Sequence, residues 1–184
     1  MRRFSILFGV MLIMAVLAAC APSAPPATPA ELPRHFTSTN GSFDYPDGWV
    51  IDQSHAPIVI LASDAAVLEQ QLQDNAPDSV PKGEALITVY ILPSFGVGDS
   101  TPVTLLNELR PNYPMNTTEP ELITIGDYRG AWIQDGSSTI DLAAYAVDVG
   151  DTIAIINLYT SESERDLFRP TTEAIIASIA LPEE

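Results

Sequence analysis

Residues 139–160, TIDLAAYAVDVGDTIAIINLYT, give the clearest indication of the fold of this chain. It consists of two long apolar, β-branched runs separated by Gly150-Asp151, a dipeptide typical of tight turns. Runs of this composition favour strands, and a short connection places consecutive strands side by side in antiparallel order. We therefore predict that strands Thr139–Val149 and Thr152–Thr160 pair with each other.

The same pattern extends toward the N-terminus. Two further runs, Glu121–Ile125 and Tyr128–Gln134, are rich in strand-forming residues and are separated by Gly126-Asp127. Asp135-Gly136 ends the second run with another turn dipeptide. Turn dipeptides at this regular spacing predict an antiparallel meander.

The segment ahead of the meander contains more strands. Asn40-Gly41 is the strongest short signal for a hairpin turn, and it predicts a first hairpin between residues 35–39 and 42–45. Other strands are expected at three places: Trp49–Gln53, Pro57–Ala62 and Glu84–Leu92.

A first helix is predicted after the strand that ends at Ala62. Ser63 or Asp64 is expected to cap it, because both side chains accept hydrogen bonds from a helix N-terminus. It should run through Leu72, with Ala65 and Leu68 on the same face as Leu72.

Two later helices are also predicted from their caps. Thr101 is expected to cap a helix that ends near Arg110-Pro111. Ser161 or Ser163 is expected to cap the last helix, which Pro170 should break or restart because proline lacks the backbone N–H. The end of this helix should present three residues to the core: Ala174, Ile175 and Ile179.

Strands gathered into one antiparallel sheet, with helices that cover it, make an α+β layered domain. We predict that residues 34–184 form a single globular domain of this class.

Three features resemble the PsbP-like superfamily: FDYPDGW (residues 43–49) after a first hairpin, the long meander, and a last helix ending in EAIIASIALP (residues 173–182). The resemblance covers about Phe36 to Leu181 and implies an α/β/α sandwich, with helices on both faces of an antiparallel sheet. The superfamily includes the extrinsic oxygen-evolving-complex subunit of photosystem II and exported bacterial proteins of unknown role. No set of functional residues carries over. The photosystem subunits dock through lysines, whereas Lys82 is the only lysine here.

Residues 1–19 have the order of a secretory signal peptide. Met1-Arg2-Arg3 is a short basic start, Phe4–Leu17 is a nearly unbroken apolar run, and small residues follow. As a permanent span, the run falls short of the roughly 20 apolar residues that a bilayer core needs.

LAAC at residues 17–20 resembles the lipobox of bacterial lipoproteins. The resemblance implies that the Cys20 thiol takes a diacylglyceryl group, that the chain is cut before Cys20, and that the new amino group is often acylated. Two or more acyl chains hold a protein firmly on a membrane. The alternative is ordinary secretion, since Ala19-Cys20-Ala21 also fits an A-x-A cleavage site, although that cut would leave Pro22 first.

Residues 20–33 are predicted to be the lipidated cysteine and a tether. APSAPPATPAELP, residues 21–33, is rich in proline and alanine and favours extended polyproline conformations. At about 3.1 Å per residue it could reach roughly 40 Å, enough to hold a domain clear of the lipid headgroups.

Charge and cysteine content exclude several classes of protein. Without Arg2 and Arg3 the chain has six basic residues against 24 acidic ones, a net charge of about −18. That balance opposes binding to nucleic acid, whose phosphates require lysine and arginine. Because Cys20 is the only cysteine, the domain has no disulfide and no thiol for catalysis or metal binding.

No motif for a metal, a cofactor or a catalytic triad stands out. His35 and His55 are the only histidines, neither belongs to a zinc-ligand pattern, and no G-x-S-x-G occurs. Asp135–Ser138 and Asp148–Asp151 supply oxygens for Ca²⁺, but both fit turns and neither matches an EF-hand loop. We expect no cofactor, while the abundant acidic residues leave paired-carboxylate catalysis open.

The aromatic stretch SFDYPDGWV, which starts at position 42, is interpreted as a structural corner. Phe43 and Tyr45 share one face of a strand. Pro46 presets the backbone for a turn, and Gly48 suits the last position of a type I turn. Trp49 begins the returning strand, where its ring can cap the core. Trp49→Ala is expected to destabilise the protein by roughly 3–5 kcal/mol.

Three residues in loops are candidates for contact with a partner: Phe95, Tyr113 and Met115. Loops on a rigid scaffold often carry recognition residues. The alternative is that these side chains are hydrophobic plugs that close the edges of the sheet.

Together these features predict a non-enzymatic bacterial lipoprotein on the extracytoplasmic face of the cell envelope. It would bind a protein partner of unknown identity, or a small ligand, through loops and one sheet face. The alternative is a carboxylate-based extracytoplasmic hydrolase, which should show a concave pocket with converging carboxylates.

Overall fold

The strands of the protein form two antiparallel sheets. The computed structural model describes residues 31–74, 79–92, 100–113, 117–136 and 140–182. Within these ranges a small sheet pairs β1 (Arg34–Thr37) with β2 (Ser42–Tyr45). The large sheet has seven strands: β3 (Val50–Asp52), β4 (Ile58–Ala62), β5 (Ala85–Leu92), β6 (Glu121–Ile125), β7 (Tyr128–Gly136), β8 (Asp141–Val149) and β9 (Thr152–Thr160). The described helices are α1 (Ala65–Asp74), α2 (Pro102–Leu109), which runs into a 3₁₀ turn at Arg110–Asn112, and α3 (Arg165–Ala177).

The predicted meander is confirmed, because β6, β7, β8 and β9 are consecutive neighbours in the large sheet. Val149 pairs with Thr152, so the β8–β9 turn is centred on Gly150-Asp151. Gly150 has a φ of +64°, in the left-handed region where glycine meets little steric penalty. The two strands joined by this turn lie at positions where both sheet faces are covered, which explains their long apolar runs.

The order of the seven strands is β3-β4-β5-β9-β8-β7-β6. After β5 the chain crosses through α2 to the far edge and returns strand by strand, so β9 ends beside β5. β5 and β9 pair in antiparallel order along the whole of β5, from Ala85 opposite Thr160 to Leu92 opposite Ile153.

Alternate residues of the large sheet point to opposite faces, and each face has its own helices. On one face, α3 and the β1–β2 hairpin pack around Phe43, Tyr145 and Ile175. On the other face, α2 contacts β7 and β8 through Leu106, and α1 contacts β4 and β5 through Val67. The result is a helix–sheet–helix sandwich, and the expected α+β fold class is confirmed.

The caps of the first two helices follow the sequence prediction. Asp64 accepts a hydrogen bond from the Ala66 N–H at 2.7 Å. Thr101 and Thr104 each accept a hydrogen bond from the backbone N–H of the other, which forms a capping box at the start of α2. Leu68 and Leu72 pack against the cluster that contains the buried Val67, which confirms that part of the predicted face, whereas Ala65 is exposed and its placement is wrong.

The start and middle of α3 correct two other predictions. Glu164 occupies the cap position, and the hydroxyl of Ser161 donates to its carboxylate at 2.5 Å instead of capping the helix. Pro170 lies inside an uninterrupted helix. Proline in a helix interior costs roughly 3 kcal/mol, and burial of Ile175 and Ile176, at about 1.5–3 kcal/mol each, offsets that cost.

Candidate binding cavity beside the first helix

The sheet face under α1 and α2 has a polar interruption between the two helices. Thr88 of β5 and Asn157 of β9 are direct partners across their strands, and both are half-buried. Two positions away on the same strands, Leu86 packs with α1 and Ile155 packs with α2. The floor between the helices therefore carries hydrogen-bonding side chains next to the aliphatic Leu86 and Ile155.

Hydrogen bonds hold these polar side chains in one orientation. The Tyr113 hydroxyl donates to Oδ1 of Asn157 at 2.9 Å, and Nδ2 of Asn157 donates to Oγ1 of Thr88 at 3.0 Å. The amide of Asn157 thus accepts on one side and donates on the other. One N–H of Asn157 and the hydroxyl hydrogen of Thr88 remain available to another acceptor.

A cavity of about 340 Å³ includes Thr88 and Asn157 in its lining. This volume lies at the lower end of the roughly 300–1,000 Å³ that small-molecule sites have. Its other lining residues come from α1, from β4 and the turn before it, and from β9: Gln71, Leu72, Ile58, Ile60, His55 and Tyr159.

Gln71 brings an unpaired acceptor to the cavity. Its Oε1 is buried and receives no hydrogen bond from the described part of the chain. An acceptor left unpaired in this way costs about 1–3 kcal/mol. A ligand that donates a hydrogen bond to Gln71 would recover this free energy.

The tyrosines in and beside the cavity are neutral donors. Burial raises the pKa of Tyr159, which lines the cavity, and it also raises the pKa of Tyr113. Both hydroxyls therefore keep their protons at neutral pH. None of the lining residues in the described part of the chain is an Asp, Glu, Lys or Arg.

Asp52, Ser54 and His55 meet next to the cavity but do not form a catalytic triad. The Ser54 hydroxyl donates to Oδ2 of Asp52 at 2.7 Å, and this hydrogen bond lowers the pKa of the Asp52 carboxyl. Ser54 Oγ and Asp52 Oδ2 lie 3.0 Å and 3.3 Å from the same ring atom, Nδ1 of His55. In a triad the carboxylate and the nucleophile contact opposite nitrogens of the imidazole. This cluster therefore closes a turn.

The two buried carboxylates in the described ranges do not converge. Asp135 pairs with Leu142, and Asp141 pairs with Gly136, on adjacent positions of β7 and β8. Because side chains alternate across a strand, Asp135 and Asp141 point to opposite faces of the sheet. Asp141 accepts the Ser163 N–H at 2.8 Å, while neither side-chain oxygen of Asp135 has a hydrogen-bond partner among the described residues.

The aromatic corner lies on the opposite face of the sheet from the cavity. Phe43 is 1% exposed, and Tyr45 and Trp49 are half-buried against the same core. Gly48 follows Pro46 by two positions and has a φ of +81°, a left-handed value that glycine readily adopts. These residues build the interior under α3 and line no part of the cavity.

Of the predicted partner-contact residues, Tyr113 is half-buried and its hydroxyl points inward to Asn157. Phe95 and Met115 lie outside the described residues, as does the proposed lipidation site, Cys20. Among the described residues, no three His, Cys, Asp or Glu side chains come together where they could hold a metal ion. Contact of Phe95, Tyr113 and Met115 with a partner stays a prediction.

Thr88, Asn157 and Gln71 belong to no sequence motif that marks them as functional residues. A signal was present in two of the strands, since Thr88 interrupts the apolar run EALITVYIL and Asn157 interrupts TIAIINLYT. A lone polar residue in a strand buried on both faces needs a hydrogen-bond partner. That these two residues are partners of each other depends on the β5–β9 pairing, which no local pattern indicates.

Within the described ranges, no helix combines the length and the apolar character needed to cross a bilayer. No protein-family model matches the chain, and no curated protein matches it in sequence.

Several solved structures match the chain. A protein from Bacteroides thetaiotaomicron matches with a TM-score of 0.50 and 16% identity, over 85% of this chain and 50% of that one. This chain thus spans about half the length of the Bacteroides protein, and the likeness concerns the fold alone. Cyanobacterial PsbP from Synechocystis sp. PCC 6803 has a TM-score of 0.45 at 15% identity, over 88% of this chain and 99% of its own. LpqN of Mycobacterium tuberculosis, which is involved in cell envelope biogenesis, has a TM-score of 0.44 at 16% identity, over 86% and 87%.

Proposed function

We propose that this chain is a lipid-anchored, extracytoplasmic accessory module that binds a small molecule and performs no chemistry on it. The cavity beside α1, over strands β4, β5 and β9, carries this proposal, because its apolar walls are combined with hydrogen-bonding side chains held in one orientation. Binding sites for small molecules commonly have this combination. A PsbP-like origin is supported by the residue patterns at 43–49 and 173–182 and by the helix–sheet–helix arrangement.

The proposed anchor is the lipidated Cys20, followed by the proline-rich tether. Leu32 packs against the core, and β1 begins at the exposed residue Arg34, so the tether would leave the domain at its surface. At about 3.1 Å per residue, residues 21–31 would extend roughly 35 Å from the membrane. That reach would keep the cavity in the aqueous phase.

Lipidation is tested by incorporation of labelled palmitate into the full chain expressed in a bacterium. The wild type and the control Ser23→Ala should carry label and sediment with membranes, and Cys20→Ser should lose both properties. Equal labelling of Cys20→Ser would contradict the anchor.

Binding is tested with a variant that closes the mouth of the cavity. Ile58 lines it and is 38% exposed, so Ile58→Trp adds bulk at the opening with little effect on the core. Leu122→Trp, at a position 82% exposed on β6, is the matched control. Small molecules found by ligand-observed NMR to bind the wild type should also bind Leu122→Trp and should lose binding to Ile58→Trp. If all of them bind Ile58→Trp unchanged, the cavity is not the site.

A further inference from the structure

We propose that the cavity selects an uncharged molecule whose mostly apolar body carries both a hydrogen-bond acceptor and a donor, as a carboxamide does. The inference rests on the proposed binding function and adds the chemical class of the ligand. It follows from three properties of the lining: its apolar walls, its lack of counter-charges, and the hydrogen-bonding capacity that the protein leaves unused.

The apolar part of the ligand would contact aliphatic side chains. Ile58 and Ile60 of β4 and Leu72 of α1 line the cavity, and the ring of Tyr159 contributes another largely apolar surface. Removal of apolar area from water contributes about 25 cal/mol per Å². These contacts would supply most of the affinity and little of the selectivity.

A charged ligand would lose its hydration without gaining a partner of opposite charge. Among the described residues, the lining contains no carboxylate, ammonium or guanidinium group. The imidazole of His55 belongs to the lining, and its Nδ1 already contacts Asp52 and Ser54. An unpaired ion in such a site is strongly disfavoured.

The unused hydrogen-bonding groups are of opposite kinds on the two sides of the cavity. On the sheet side, Asn157 and Thr88 each retain one hydrogen to donate after their bonds to each other and to Tyr113. On the helix side, Oε1 of Gln71 is buried and needs a donor. A ligand with an acceptor toward the sheet and a donor toward α1 would satisfy both.

Three probes of nearly equal shape test the charge selection: benzamide, benzoate and benzamidinium. Their dissociation constants for the purified full chain would be measured at neutral pH by ligand-observed NMR. Benzamide is expected to bind at least about tenfold more tightly than either ion, a difference of about 1.4 kcal/mol.

Isosteric variants test the polar contacts. Thr88→Val removes a donor hydrogen, and Gln71→Met removes the buried acceptor. Each should weaken benzamide binding about three- to tenfold and leave the binding of toluene, which makes no hydrogen bonds, within about twofold. Thr124→Val, at an exposed position of β6, is the control and should change neither benzamide binding nor toluene binding.

The outcomes separate this inference from the proposed function. If benzoate or benzamidinium binds in the cavity as tightly as benzamide, the ligand class is wrong while the binding module stands. The ligand class is also wrong, and the binding module stands, if Thr88→Val and Gln71→Met weaken the binding of toluene as much as the binding of benzamide. If neither toluene nor any of the three probes binds the wild type, both the ligand class and the binding function are overturned.

Discussion

The hydroxyl of Tyr113 donates a hydrogen bond to Oδ1 of Asn157 at 2.9 Å, across 44 residues of sequence. Tyr113 follows α2 and its 3₁₀ turn, whereas Asn157 lies in β9 near the middle of the large sheet. This contact fastens the segment after α2 to the sheet and orients the amide that lines the cavity.

Removal of the Tyr113 hydroxyl should therefore destabilise the protein. In Tyr113→Phe the half-buried Oδ1 of Asn157 loses its donor, and we expect the free energy of unfolding to fall by about 1–2 kcal/mol. Urea denaturation would measure the change. Tyr90 is also half-buried and packs against the same core residues around Leu106 as Tyr113 does. Tyr90→Phe is therefore the matched control, and it should reduce the free energy of unfolding less. An equal loss in both variants would show that the hydrogen bond contributes nothing.

Buried tyrosines should make the protein less stable at alkaline pH. Burial raises the pKa of Tyr113 and Tyr145 above the value of about 10 that applies in the unfolded chain. Above about pH 10 the unfolded chain releases protons that the folded chain retains, so the free energy of unfolding falls as pH rises. Below about pH 9 these two groups should have no effect on how the free energy of unfolding changes with pH. Urea midpoints between about pH 8 and about pH 11 would show a shallower decline in the double variant Tyr113→Phe, Tyr145→Phe.

Tyr145→Phe alone should not destabilise the protein at neutral pH. Tyr145 is fully buried and stacks on Trp132 with ring centroids 5.9 Å apart, but its hydroxyl has no hydrogen-bond partner in the described ranges. Since an unpaired buried hydroxyl costs about 1–3 kcal/mol, its removal should leave stability unchanged or raise it by up to about 2 kcal/mol. A loss of more than about 1 kcal/mol in the melting or denaturation curve would reveal a partner, such as a bound water.

The aromatic corner should contribute through packing. Trp49 is half-buried, and its ring meets that of Phe168 at a centroid distance of 6.5 Å. We expect Trp49→Ala to cost about 2–4 kcal/mol, somewhat below the roughly 3–5 kcal/mol expected from the sequence for a core position. Phe43→Ala, at a residue 1% exposed, should cost more. The two free energies of unfolding would be compared by urea denaturation, and an unchanged value for Trp49→Ala would refute the structural role.

The elements themselves were predictable because their signals are local. Gly150-Asp151 marks the turn between two apolar runs, and Asp64 and Thr101 mark the starts of helices. The predicted break at Pro170 is wrong because the unfavourable backbone effect of proline is local, whereas the burial of Ile175 and Ile176 that outweighs it comes from the rest of the fold.

Local sequence patterns predict the strands, the turns and most helix starts, and with them the α+β class, since these depend on neighbours along the chain. The position of β9 beside β5 is known from the folded structure and not from any such pattern. That pairing brings together Thr88 and Asn157, which are 69 residues apart and line the cavity beside α1. Such a contact depends on how the whole sheet buries its apolar faces, and therefore no short stretch of sequence encodes it.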